Sequence, residues 1–414
     1  MAVVDPPYER SKGSQLPTPD NSTQIKSAVG YSEYVAGLEL EFTASDERRT
    51  RWKIDLVIIP IFLVTQAIQQ MDRTALNYVN LFGYQKALGL QGYQFNFLSS
   101  MVYAGYFFGQ YPAGWLIGRF PAQRVLSTSI LALGVLTILM TQCTNYRSAL
   151  AVRFFTGIFV GAVIPCLTLM TGFWFTRREI PLRQCIWFSG LGWGGILDSY
   201  ISMGVSKMSD NTSPPKWQLV FYILGAISCL WGIAMVFLLP DNPSAASFLT
   251  PRERIVAVAR VAGNGTGIKN KHFDKKQAWI AFYDPKTILL FVSVAGAAIP
   301  NGVITSFSTV IIRDLGFTTT KTTALKSVGD AVQILALFIG GAITLNVPNS
   351  AVAGVICTVC AALTAYLPRS NTWGRLVSFW LVNFQSVSYT ISLTTISSNM
   401  GGYTHRASAT AIVL

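Results

Sequence analysis

Apolar residues in this chain are gathered into runs of about twenty, and a run of that length, wound as a helix, crosses roughly 30 Å of hydrocarbon. Ten runs and the start of an eleventh are visible, at 54–79, 95–117, 125–142, 149–174, 184–206, 217–239, 287–311, 324–345, 350–367 and 373–396. The composition agrees: 51% of the 414 residues are apolar and 12% are charged, about half the roughly 25% expected of a soluble domain. The expected class is therefore an all-α integral membrane protein with about ten full transmembrane helices.

The first residues are polar, with prolines at Pro6, Pro7, Pro17 and Pro19 and no apolar core, so no cleavable signal is expected there. Residues 1–47 read instead as a disordered cytosolic tail. The net charge of +13 does not point to nucleic acid, because basic residues crowd alternate turns. Arg48, Arg49, Arg51 and Lys53 precede the first run; Arg119 and Arg124 lie between the second and third; Arg177, Arg178 and Arg183 lie between the fourth and fifth. That is the positive-inside pattern of a multi-pass protein with a cytosolic amino terminus. Later turns follow it less well, with Arg313, Lys321 and Lys326 on an outside turn.

After six runs, the segment 241–285 carries dense basic charge. "TPRERIVAVARV" offers Thr250 as a cap, Pro251 at the first helical position and Glu253 to complete a capping box. An amphipathic helix on the membrane surface is expected, with anionic lipid headgroups as partners for its charge. Six helices (48–240), a cytosolic linker and a second group (286–414) suggest two bundles. The chain closes on "GGYTHRASATAIVL", where His405 and Arg406 give way to a new apolar run, so a truncated second bundle is expected. Of the sequons at Asn21, Asn211 and Asn264, this topology leaves Asn211 outside as a glycan site. The cysteines, including the Cys357–Cys360 CxxC, sit in or beside apolar runs without His or acidic neighbours and read as small packing residues.

The stretches "QQMDRTALNYV", "SSMVYAGYFFGQYPAGWLIGRFPAQRVL", "RFFTGIFVGAVIPCLTLMTGFWFTRREIPLRQCIWFS", "WQLVFYILGAISCLWGIAMVFLLPDNPSAASFLTPRER", "GIKNKHFDKKQAWIAFYDPKTILLF" and "GGYTHRASA" together resemble the allantoate permease branch of the anion:cation symporters, a major facilitator group found largely in fungi. The resemblance runs from about Trp52 to the last residue. It implies the major facilitator fold, and proton-coupled uptake of small organic anions, such as ureido acids or vitamin carboxylates, at the plasma membrane. The family pattern places a glutamate seven residues after the arginine of the fourth span, where it takes part in proton coupling; this chain has Val160.

Each ionised residue at mid-depth of a membrane helix costs roughly 3 kcal/mol, so Asp72, Arg73 and Arg153 need an offset. Asp72 lies about 28 Å along its helix from Lys53, and Arg153 lies about 9 to 12 Å below Asn145, which gives the two similar depth. Neighbouring helical residues point about 100° apart. One arrangement therefore lets Asp72 meet Arg153 while Arg73 faces a central cavity and holds a carboxylate through two parallel hydrogen bonds. A static ion pair that fixes helix packing is the alternative. Asp72 is the leading proton site, with Asp198 and Asp330 as further candidates; Asp330 could equally neutralise Lys326 one turn before it. Asn77 joins the substrate-binding candidates on the first span.

By analogy with the fold, spans seven and ten line the cavity, which brings in Asn301, Asn383, Gln385, Ser388 and Tyr389 as donors and acceptors. Bonding between helices is the competing role for each. Arg119 and Arg124, in "GWLIGRFPAQRVL", are expected to grip helix ends and acids when the inner side is closed, although Gly118 stands where many facilitators carry an aspartate. The glycine pairs Gly105/Gly109 and Gly157/Gly161 are expected to let helices approach closely.

An enzyme is disfavoured: the two histidines, His272 and His405, are far apart, and no nucleophile has a matching base. No cofactor or metal site is expected. The partners are a small organic anion, a proton and the lipid bilayer. A non-transporting paralogue or nutrient sensor, and a uniporter or exchanger without proton coupling, remain open alternatives.

Overall fold

The computed structural model describes residues 43–209, 212–262, 283–344, 350–368 and 371–399. Among the described residues, seven helices longer than one turn form the first bundle: α1 (Ala44–Leu81), α2 (Gln94–Arg119), α3 (Ala122–Leu139), α4 (Tyr146–Trp174), α5 (Ile180–Phe188), α6 (Gly190–Ser206) and α7 (Lys216–Leu238), with a single helical turn, Tyr84–Ala87, between the first two. The connecting stretch carries α8 (Pro251–Ala262). The second bundle holds α9 (Pro285–Asp314), α10 (Thr319–Thr344), α11 (Ser350–Tyr366), α12 (Thr372–Leu381) and α13 (Gln385–Asn399). Six of the described helices are long and apolar enough to cross a membrane on their own: α1, α3, α4, α7 and the apolar stretches of α9 and α10. Two expected spans are interrupted. The fifth breaks at Ser189 between α5 and α6, and the tenth passes through a 3-10 turn, Val382–Phe384.

The bundles pack on themselves through small residues. A Cβ added at Gly105 would lie 2.0 Å from the Phe154 carbonyl oxygen, and one at Gly157 would lie 2.1 Å from that of Val102. Glycine at these positions is what lets α2 and α4 touch backbone to backbone. Large apolar side chains face outward instead, among them Phe107 (64% exposed), Leu289 (71%) and Phe237 (83%), as suits a surface solvated by acyl chains. The bundles meet where α6 and α5 lie against α10, where α1 lies against α9, and where α5 lies against α13.

At 38 residues α1 is about 57 Å long, well over the thickness of a membrane core. It begins earlier than the sequence suggests, at Ala44 rather than after residue 47, because Thr43 and Asp46 form a reciprocal capping box. Its first turns define the basic end of the molecule.

There α8 departs from the expectation of a lipid-bound helix. The capping box forms as predicted, with the Thr250 N–H donating to Glu253 at 3.0 Å. Its arginines, however, are used within the protein. Arg252 pairs with Asp46 at 3.1 Å, Arg260 with Glu47 at 3.1 Å and with Glu179 at 2.7 Å, and the Arg254 side chain donates to the Ala246 carbonyl at 2.8 Å. Its apolar residues Val256 and Ala257 are buried against the protein. These partners come from the overhang of α1, whose acidic first turn carries Asp46 and Glu47 to α8. Lys53 to Glu253 at 2.6 Å and Arg183 to Asp55 at 2.8 Å complete the clasp.

Candidate functional site

Along α1, Asp72 and Arg73 point in different directions, as the 100° helical step requires. Asp72 turns toward α3 and α7. It is buried and accepts hydrogen bonds from the Ser228 hydroxyl at 2.9 Å and the Thr137 hydroxyl at 3.2 Å. It does not form the expected ion pair with Arg153: among the described residues no salt bridge joins them. Azimuth is set by packing, and α3 and α7 present two hydroxyls to Asp72 where the expectation had the arginine of α4.

Arg73 and Arg153 meet instead in one cleft, lined further by Leu76, Asn77, Ser99, Val102, Tyr103 and Thr305. The Arg73 guanidinium lies over the Tyr103 ring, 5.8 Å from its centroid. That contact adds about 0.5–1 kcal/mol of attraction and fixes the plane of the fork. Arg153 is buried, and its Nε has no acceptor within the protein. Among the described residues, no acidic one lines this cleft.

Thr305 also borders a second cleft, shared with Gln70, Thr74, Leu191, Asn301, Ile304, Lys326, Asp330, Gln333 and Asn383. Here Lys326 Nζ donates to both Asp330 oxygens, at 2.7 and 3.0 Å. The carboxylate rests on α6 at Gly195, where an added Cβ would come within 2.5 Å of it. Lys326 also lies 5.5 Å from the Tyr78 ring centroid, and the Tyr78 hydroxyl bonds Ser199 at 2.6 Å. One turn beyond Gly195, Asp198 accepts from Thr74 at 2.7 Å.

Lys326 is a correction. It belongs to no outside turn; its side chain is 4% exposed, more than one turn inside α10. Lys326, Gln70, Thr74 and Gln333 were missed as site residues. The pairing of Lys326 with Asp330 expected from their four-residue spacing does form.

The other predicted residues divide between cleft and bundle contacts. Asn77 reaches α9, donating to Ser308 at 3.0 Å and accepting from Thr309, and so bridges the bundles beside the first cleft. Asn301 accepts from Gln385 at 3.2 Å, and Asn383 donates to the Trp380 carbonyl at 3.0 Å; of these three, Asn301 and Asn383 line the second cleft. Tyr389 packs its ring against Phe188 at 5.6 Å, where α13 meets α5. Val160 is buried in the apolar core. Arg119 lies over Trp115, 5.5 Å from the ring, and among the described residues neither it nor Arg124 grips an acid. Gln123, between them, does so instead: its N–H donates to Asp241 at 3.3 Å and its amide to the Val236 carbonyl at 2.8 Å. The guanidinium of Arg119 turns back along its own helix, which leaves this task to the residue at the start of α3. Asn211, His272 and His405 lie outside the described residues. Three buried amides, Gln66, Gln69 and Gln110, have no hydrogen-bond partner in the protein, and each group left so costs about 1–3 kcal/mol.

The arrangement is paralleled in known proteins. Residues 62–414 match the family model of the Major Facilitator Superfamily. An uncharacterised transporter of Schizosaccharomyces pombe is 34% identical over 386 residues, 92% of this chain and 73% of that one. The allantoate permease of Saccharomyces cerevisiae is 28% identical over 392 residues, 91% of this chain and 72% of the permease. The thiamine pathway transporter of the same yeast is 29% identical over 406 residues, 95% and 76%. Among solved structures, the proton:xylose symporter XylE superposes with a TM-score of 0.67 at 13% identity, covering 89% of this chain and 86% of the symporter. Two bundles of membrane helices around a polar interior, and a family model matched over most of the length, lead to one conclusion: this chain is a multi-pass membrane transporter of the Major Facilitator Superfamily.

Proposed function

We propose that the protein is a secondary transporter that imports small organic anions together with protons, by alternating access, and that Arg73 and Arg153 hold the anion. One observation carries this reading: two guanidinium groups, from α1 and α4, enter the same cleft, and among the described residues no carboxylate lines it. A planar fork offers a carboxylate two parallel N–H donors, and a low-dielectric cleft strengthens both. The allantoate permease among the relatives supports an organic anion as the solute.

Asp72 is the proton site in this reading. Ionised, it draws on the charge of Arg153; protonated, it leaves that charge to the solute, so proton and anion favour each other's binding. Asp330 is less suited because Lys326 occupies both its oxygens, and Asp198 keeps one oxygen without a protein donor. The Asn77 contacts to α9 act as the latch on one side of the clefts, and the seams of α10 with α5 and α6 hold the bundles together elsewhere. The basic end faces the cytosol by the positive-inside rule, the plasma membrane is the site of action, and Asn211 is an external glycan acceptor. A second reading, uniport or exchange without protons, draws on Val160 in place of the family's glutamate.

The test is Arg73→Lys, which keeps the charge and loses the fork. With uptake of labelled allantoate, nicotinate, pantothenate, biotin and succinate measured in cells, the substitution lowers transport of whichever solute the parent carries by at least tenfold at unchanged membrane yield. Undiminished uptake refutes the clamp. Uptake indifferent to collapse of the proton gradient favours the second reading.

A further inference from the structure

Both amide atoms of Gln66, of Gln69 and of Gln110 are buried without a hydrogen-bond partner, the side chains being 0%, 0% and 4% exposed, and neither cleft makes use of them. On α1, Gln69 and Gln66 precede Arg73 by four and seven residues. Helical rotation places them within about 40° of its direction, roughly 6 and 10 Å nearer the basic end. α2 runs the opposite way, and Arg73 stacks on its Tyr103. Gln110, seven residues past Tyr103, therefore reaches the same depth as Gln66. Between them the Tyr106 hydroxyl lies beside the Gln110 amide.

Apolar packing does not account for these residues, since a leucine of similar volume would fill each position with no unmet polar group. An amide both donates and accepts, and carries no charge. Their own helices carry none at that depth either: α1 has no ionisable residue between Asp55 and Asp72, and α2 has no charged one before Arg119.

We propose that Gln66, Gln69 and Gln110 form a second solute station on the basic side of Arg73. It takes an uncharged hydrogen-bonding group of the anion about 6–10 Å from its carboxylate, and it lines the solute's way out when the bundles part. This rests on the transporter reading. It makes the protein selective for monoanions with a polar neutral tail, because a second carboxylate at that depth meets no cation.

The experiment uses the full chain in inside-out vesicles, with single Gln66→Cys, Gln69→Cys and Gln110→Cys substitutions and an impermeant cationic methanethiosulfonate. The parent chain gives the background of native cysteines, and Leu126→Cys, in the apolar core, gives the dry control. The station predicts labelling at all three positions at least tenfold faster than at Leu126→Cys. It also predicts that 5-ureidopentanoate, whose urea lies about 7 Å from its carboxylate, slows labelling of Gln69→Cys at least fivefold more than 7-methyloctanoate, which has the same shape without the urea. Labelling no faster than the control overturns the station, and equal or absent protection by the two probes overturns the group assigned to it. Gln110→Cys lies on a different helix, so misfolding of the α1 variants leaves a decisive position. The labelling arm requires no net transport, so a chain that moves no solute defeats the transporter reading while this arm still reads the station.

Discussion

Removing one partner of a dry ion pair is a different experiment from removing both, and the Lys326–Asp330 pair allows the two to be compared. The side chains are 4% and 8% exposed, with contacts of 2.7 and 3.0 Å, and Gly195 of α6 closes one side of the carboxylate. Lys326→Met leaves Asp330 charged and desolvated, for which about 3–5 kcal/mol is expected. At roughly 2–4 °C per kcal/mol, that is on the order of 10 °C in apparent melting temperature. The double variant Lys326→Met/Asp330→Leu leaves no orphan charge and is expected within about 1–2 kcal/mol of the parent, or above it. Thermal stability of the purified protein in detergent reads the first quantity, and uptake in cells reads the second. A pair that serves solute or proton leaves the double variant stable and inactive; a static brace leaves it stable and active. If Lys326→Met alone melts with the parent, the pair is neither dry nor mutually dependent, and the reasoning fails at its first step.

Gly157→Val forces a branched side chain into a space where a single Cβ already lies 2.1 Å from the Val102 carbonyl oxygen; more than about 3 kcal/mol of destabilisation is expected, read as lost membrane yield, whereas the same change at Gly114, which has no neighbour within 4 Å, is expected to cost far less. At the basic end, burial raises the Glu253 proton affinity, but Lys53 and the Thr250 N–H and hydroxyl outweigh it and hold the carboxyl below the ordinary glutamate range. A carboxyl so depressed contributes stability above its unfolded value, and that contribution is lost as pH falls through the lower folded value. Hydrogen exchange in α8 should therefore stay slow from pH 7 to 5 and quicken only below roughly pH 4.3, while Glu253→Gln should quicken it at pH 7.

How much of this was legible in the sequence depended on the kind of information each feature carries. Apolar run length is read along the chain, and it gave the helices and the class. Breaks at Ser189 and at Val382–Phe384 were invisible because both flanks are equally apolar, so the hydrophobic signal continues across the interruption. Depth along a helix follows from residue count, but the direction of Asp72 follows from neighbours far away in sequence, Ser228 and Thr137, and the expected pairing with Arg153 missed them. Lys326 was read in two ways, as a basic residue of an outside turn and as the partner of Asp330 one turn on; the spacing along the helix was the sound signal, and charge as a marker of topology was not. α8 was given to lipid because its arginines were counted without the acids of α1, some 200 residues earlier. Gln66, Gln69 and Gln110 passed unnoticed because amides bear no formal charge, although they are costly to bury unpartnered.

The six ionised residues discussed within the spans are three acids and three bases, and the count alone suggests mutual neutralisation. Their partners say otherwise. Asp330 has Lys326, Asp72 has the hydroxyls of Ser228 and Thr137, and Asp198 has that of Thr74, so each carboxylate is met by a donor that belongs to the protein. Arg73 and Arg153 have no carboxylate within salt-bridge distance among the described residues, and both enter the same cleft. At roughly 3 kcal/mol each to bring to this depth, two guanidinium groups that close no salt bridge among the described residues are poor candidates for a brace, since a brace is satisfied from within. They are what remains when every acid has been given a donor elsewhere, and a visiting anion is the partner whose binding offsets that cost. Hydroxyls on Asp72 thus bear on transport as directly as the arginines: by occupying the nearest acid, Ser228 and Thr137 keep Arg153 available to the solute.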